Sequence, residues 1–161
     1  MEKIKIAVTG GPSGGKTTLI EALQKDLPQQ LSVVPDADRH LSREGFPRRS
    51  TPVARKHAQR AICMIQRELE ALILQESKTP VLVCDRGSLD SISYWPGDES
   101  DFFRDLQTTR EQELARYDWV LHLDTAGEEF FDTTNPVRTE SHKEALVLNS
   151  RVKAAWAGHP R

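Results

Sequence analysis

Apolar positions fall along this chain in two alternating rhythms, one with the period of a strand and one with the period of a helix. Ile4, Ile6 and Val8 alternate as a strand, and Leu19, Ile20, Leu23 and Leu27 follow directly at helical spacing. Leu31 to Pro35 reads as a short second strand that ends in Asp36. From Val53 to about Glu76, residues such as Ala58, Ile62, Ile65, Leu69 and Ile73 recur at three- and four-residue steps, which predicts one long helix. Pro80 separates it from Val81-Leu-Val-Cys84, a continuous apolar run expected of a strand covered on both faces. Ser88 to Trp95 predicts a short helix, Phe102 to Arg116 another, Trp119 to Leu123 a fourth strand, and about Glu140 to Ala157 a final helix. Strand and helix alternate throughout, which predicts an α/β fold of three layers, a parallel sheet with right-handed crossovers flanked by helices. Neither an internal repeat nor a linker interrupts the pattern, so residues 1–161 read as a single domain with an irregular polar stretch at about 126–142.

The chemistry sits where the rhythm breaks. Gly10-Gly-Pro-Ser-Gly-Gly-Lys-Thr17 fits G-x-x-x-x-G-K-[ST], with a strand before it and a helix behind, the context that marks a phosphate-binding P-loop. The nucleotide-binding residues are therefore expected to be Gly10, Gly11, Pro12, Ser13, Gly14, Gly15, Lys16, Thr17 and Thr18. The loop's N–H groups and the positive end of the following helix hold the α- and β-phosphates. Lys16 reaches the β- and γ-phosphates, and the Thr17 hydroxyl ligates Mg²⁺. Four apolar residues followed by Asp85 form a Walker-B-like pattern, which assigns Asp85 to the same Mg²⁺ beside Thr17; the competing reading is a helix cap. Asp36 ends a strand at the rim where parallel α/β sheets bind ligands. His122, inside the fourth strand, is read as packed and hydrogen-bonded. Arg48 and Arg49, in a Pro-bounded loop, are read as a solvated pair, the competing role being to hold an anionic substrate or lid.

Composition narrows the partners. Charged residues make up 29% of the 161 residues and the net charge is −2, so the chain is not built to coat nucleic acid or an anionic membrane. Cys63 and Cys84 lie in apolar stretches without C-x-x-C spacing, which argues against a disulfide scaffold or zinc site. No apolar run approaches the length of a membrane span, and a strand starting at Ile4 leaves no room for a signal sequence. A cytoplasmic protein is the expectation.

Four separated pieces, Thr9-Gly-Gly-Pro-Ser-Gly-Gly-Lys-Thr-Thr18, Val34-Pro-Asp36, Cys84-Asp-Arg-Gly87 and Val137-Arg-Thr-Glu140, together resemble one family. It is the P-loop ATPase/kinase family, an AAA-domain group that is nucleoside/nucleotide-kinase-like and includes the ribosylnicotinamide kinase domain of bifunctional NAD-synthesis enzymes. The resemblance implies ATP as donor, Mg²⁺ as cofactor and a small-molecule acceptor. It matches Asp36 to an acid facing the acceptor hydroxyl, where relatives often carry Glu, and Arg138 to a lid arginine that closes on the γ-phosphate. It also implies a fifth strand, for which Gly158-His-Pro-Arg161 is the lead-in, so the last edge strand is read as missing from these 161 residues. The leading functional reading is a small-molecule kinase with Lys16, Asp36, Asp85 and Arg138 as catalytic residues. The alternative is a regulatory ATPase or nucleotide switch acting through a protein partner. A GTPase is the weaker option, since Leu123-Asp-Thr-Ala-Gly127 holds no N-K-x-D motif. A closed pocket between Asp36, the Arg39–Arg49 region and the helix after Asp85 favours the kinase, and a broad apolar patch favours the switch.

Overall fold

The computed structural model describes residues 2–131, 133–134 and 140–161. Among them, β1 (Ile4–Gly10), β2 (Leu31–Val34), β3 (Val81–Asp85) and β4 (Trp119–Leu123) form one parallel sheet in the order β2-β3-β1-β4. The helices are α1 (Lys16–Asp26), α2 (Ala37–Arg43), α3 (Pro52–Glu76), α4 (Glu99–Asp105), α5 (Arg110–Leu114) and α6 (His142–Ala155), with a 3-10 segment at Ser88–Tyr94. The three-layer α/β arrangement expected from the sequence is the one found. None of the helices among the described residues is long and apolar enough to cross a membrane.

Neighbouring residues on a strand point to opposite faces, and here both faces are covered. Val8 and Val83 turn toward Ile20 of α1 and Leu31, with Leu19 and Leu23 packed against them. Ala7, Leu82 and Cys84 turn the other way, toward Leu89, Tyr117, Val152, Ala155 and Trp156, backed by Leu69 and Ile73 of α3. That is why the Val81–Cys84 run carries no polar alternation. Val8 pairs with Asp85, Val34 with Cys84 and Gly10 with Leu123, so the carboxyl ends of the four strands finish together. The loops that carry chemistry leave from that one edge.

Two elements differ from the sequence reading. The single helix expected over Phe102–Arg116 is two, because cap chemistry interrupts its apolar spacing. The Asp98 side chain caps α4, the chain then turns through Gln107 at φ 51°, and Thr109 and Gln112 form a capping box that starts α5. Phe102 is driven into a small core with Trp95 and Cys63. The second difference is α2, which has seven residues and no apolar stripe; it is nucleated by Asp36, whose Oδ1 accepts the Asp38 N–H at 2.9 Å. At the other sheet edge, Val120 of β4 donates its N–H to the Arg161 carbonyl at 3.1 Å, so the last residues run beside β4.

Gln107 adopts a left-handed conformation that costs an ordinary residue about 1–2 kcal/mol. Gln107→Gly is expected to stabilise the protein by about 0.5–1 kcal/mol in urea unfolding, the remainder being offset by glycine's larger unfolded-state freedom. A clear destabilisation would contradict this account of the break.

Candidate functional site

The loop between β1 and α1 is shaped by close approach. Gly10 has φ 131°, and a Cβ there would lie 1.9 Å from the Leu123 carbonyl oxygen, so the loop rests directly on the end of β4. Gly15, at φ 82°, precedes α1 without a side-chain cap, leaving the first N–H groups of that helix for a ligand. Lys16 folds back into the loop, its Nζ donating to the carbonyls of Gly10 at 3.0 Å and Gly11 at 2.6 Å. It is 8% exposed. Burial lowers its ammonium to about 8, Arg86 pushing the same way while Asp90, Asp85 and Asp36 oppose it. The outer wall of the loop is fixed by α6, a contact with no local signal in the chain. The Gly11 N–H donates to Asn149 Oδ1 at 3.0 Å, and Asn149 also donates to Asp124 Oδ1 at 2.9 Å. His122 bonds the same Asn149 oxygen through Nε2 at 3.0 Å, packed and hydrogen-bonded as its place in a strand suggested.

Asp85 ends β3, yet capping is done by Asp36 and not by Asp85. The Asp85 carboxylate faces the loop instead. The guanidinium of Arg39, on α2, spans the gap: its Nη2 lies 3.4 Å from Thr17 Oγ1 and 3.9 Å from Asp85 Oδ2. Both oxygens thus lie within 4 Å of one cationic nitrogen, and a hydroxyl with a carboxylate is a hard donor pair of the kind Mg²⁺ takes. Mg²⁺ is held by one or two protein oxygens with water and phosphate completing its shell. Among the described residues, no cluster of three or more His, Cys, Asp or Glu offers an alternative. Burial raises the Asp85 carboxyl and the Asp36 charge adds to it, while Arg86, Arg39 and Lys16 pull it back.

Beside this lies a group that sequence reasoning passed over. Arg86, with φ 75°, reaches Asp36 Oδ2 through Nε at 3.3 Å and faces Asp90 Oδ2 through Nη1 at 3.6 Å. Asp90 is buried, and its Oδ1 accepts the Thr9 hydroxyl and the Trp156 indole N–H, each at 2.6 Å. Burial raises this carboxyl, against the pull of Arg86 and of both donors. A narrow cleft with a free volume of about 20 Å³ opens here, lined by Asp36, Gln59, Cys63, Arg86, Asp90 and Tyr94 among others. Gln59 is 9% exposed, and its amide makes no hydrogen bond among the described residues. Ser88 Oγ and Asp90 Oδ2 are buried without a hydrogen-bond partner.

The structure thus brings Lys16, Thr17, Asp36 and Asp85 to one edge, adds Arg86, Asp90 and Gln59, and leaves Thr18 exposed on α1. Two of the expected walls, Asp36 and the 3-10 segment after Asp85, line the cleft; the third differs, being supplied by α3, while from the 39–49 region Arg48 pairs with Asp38 and the Ser42 hydroxyl and so braces α2. Arg138 lies outside the described residues.

Comparison with known proteins agrees with this fold. The family described as AAA domain matches residues 5–161. No curated protein sequence matches. Among solved structures, deoxyadenosine kinase from M. mycoides with bound dATP superposes with a TM-score of 0.57 at 13% identity, covering 96% of this chain and 84% of that one. Thymidylate kinase from Candida albicans gives a TM-score of 0.54 at 16% identity, covering 96% and 76% respectively.

Burial of Lys16 has a measurable sign. Its folded-state value, about 8, is below the ordinary 10.5, so between those pH values the unfolded chain binds more protons and stability rises with pH. Lys16→Met is expected to stabilise the nucleotide-free protein by roughly 1–3 kcal/mol at neutral pH, after allowing for the two lost hydrogen bonds. In urea unfolding the advantage should shrink between pH 8 and 10.5; a constant advantage across that window would contradict the desolvation account.

Proposed function

Because this chain belongs to the AAA-domain family and has the fold of nucleoside and nucleotide kinases, we propose that it is an ATP-dependent small-molecule kinase acting on a hydroxyl of a nucleoside-like acceptor. The observation that carries this reading is the small polar cleft beside the P-loop, bounded by Asp36 and lined by Arg86, Asp90 and the unbonded amide of Gln59. A regulatory ATPase acting through a protein partner has no use for such a cleft.

Phosphoryl transfer asks for positioning and charge neutralisation more than for covalent help. In this reading the loop amides and Lys16 hold the triphosphate. Thr17 and Asp85 would hold Mg²⁺, which when bound neutralises charge on the phosphates. Asp36 orients the acceptor hydroxyl and takes its proton as the new bond to the γ-phosphorus forms and the bond to ADP breaks. Arg86, between Asp36 and Asp90, supplies positive charge at the same place. The free amide of Gln59 offers a donor and an acceptor to the polar edge of the bound molecule. We assign residues 1–161 to one kinase-like domain whose segment at about 126–142 is the lid, with Arg138 closing on the γ-phosphate. The two free, buried cysteines fit a reducing, cytoplasmic setting.

Removing the rim acid tests the scheme. Asp36→Asn is expected to lower phosphoryl transfer about 100-fold while ATP affinity changes by no more than about threefold. Lys16→Ala should abolish ATP turnover. Equal losses of transfer and binding in Asp36→Asn would reduce Asp36 to its capping role, and wild-type turnover in Lys16→Ala would refute the scheme.

A further inference from the structure

Resting on that reading, a second inference concerns what holds the Asp85–Ser88 turn from behind. Arg86 occupies the left-handed region, where a side-chain-bearing residue persists only if its surroundings fix it. Its own N–H donates to the Val8 carbonyl at 2.9 Å, and the two peptide groups that follow it are fixed by side chains from other elements. Gln66 Nε2, on α3, donates to the Arg86 carbonyl at 3.3 Å and to Glu70 Oε1 at 3.0 Å. The Tyr117 hydroxyl accepts the Ser88 N–H at 2.8 Å and donates to the same Glu70 oxygen at 2.6 Å. One carboxylate, 1% exposed, therefore joins the two braces. Its other oxygen is held by Lys5 at 3.0 Å and Arg116 at 2.8 Å.

The bracket also closes on the Arg86 side chain. The Tyr117 ring packs edge-on against Trp156 at 5.2 Å, and the Trp156 indole donates to Asp90, which faces Arg86. Gly87 lies between these parts; a Cβ there would be 2.6 Å from the Trp156 ring. A buried ion pair of this kind is no more stabilising than well-packed apolar residues of the same volume. What it contributes is one hydrogen-bonded arrangement of the turn.

We propose that Glu70, with Gln66 and Tyr117, is a positioning set for phosphoryl transfer, holding residues 86–88 so that Arg86 stands between Asp36 and Asp90. Among the described residues none of the three hydrogen-bonds to the P-loop, so the set acts on transfer and leaves nucleotide binding alone.

Tyr117→Phe is the test, because it keeps the ring against Trp156 and removes only the hydroxyl. Amide exchange is followed with saturating ADP, whose binding stabilises the folded state and keeps global unfolding out of the measurement. The Ser88 amide is expected to exchange at least about tenfold faster, with Leu82, Val83 and Cys84 unchanged. At saturating ATP and acceptor, kcat should fall about tenfold or more, with the Kd for ADP within about twofold of wild type. A merely structural role would lower the melting temperature and leave kcat of the folded protein alone. Unchanged Ser88 exchange overturns the proposal, as does unchanged kcat. If the wild-type protein transfers phosphate to no acceptor, the kinase reading fails, and the bracket is decided by Ser88 exchange and by whether the variant's crystal structure moves Arg86 away from Asp36. No movement overturns it.

Discussion

A single guanidinium stands at the point where the structure's parts meet. Arg86 reaches Asp36 at the end of β2 and Asp90 in the 3-10 segment, and its backbone continues from Asp85 on β3. A charged group this enclosed is tolerated only with carboxylates around it and its backbone fixed. Asp36 in turn caps α2, and α2 carries Arg39 to Thr17 and Asp85. Removing one partner would leave another charge uncompensated.

The parallel register makes this crowding possible. Because Val8, Asp85 and the Val34–Cys84 pair share one level, strand ends far apart in sequence deliver acids and cations to a single line. Desolvation then acts on three of them. It lowers Lys16 and raises Asp85 and Asp90, so the edge favours whichever ligand restores the missing charge balance. On the proposed reading that ligand is a phosphate chain with its cation.

Much of this was legible in the sequence, for local reasons. The P-loop, the strands and α3 each show in a short window, because glycine spacing, apolar period and a Thr51-Pro52 start are local signals. The α2 helix was hidden by having no apolar stripe, and the break at Gln107 by an apolar spacing that continued across two caps. Gln59, Gln66 and Glu70 look like ordinary polar positions on a helix; only the packing of α3 over the turn after β3 gives them a common purpose. Asn149 meets Gly11 across 138 positions of sequence, a separation no window spans. Arg86 was read as part of a motif whose acid drew the attention, and its left-handed backbone leaves no trace in the residue type.

The central claim is that the cleft next to the P-loop receives a phosphoryl acceptor. The most direct measurement incubates the protein with ATP labelled at the γ-phosphate, Mg²⁺ and a panel of nucleosides that includes ribosylnicotinamide, then separates the products. The account expects label in a phosphorylated acceptor, in excess of free phosphate and only when that acceptor is present. Label confined to free phosphate, at the same rate with and without every acceptor, would contradict it.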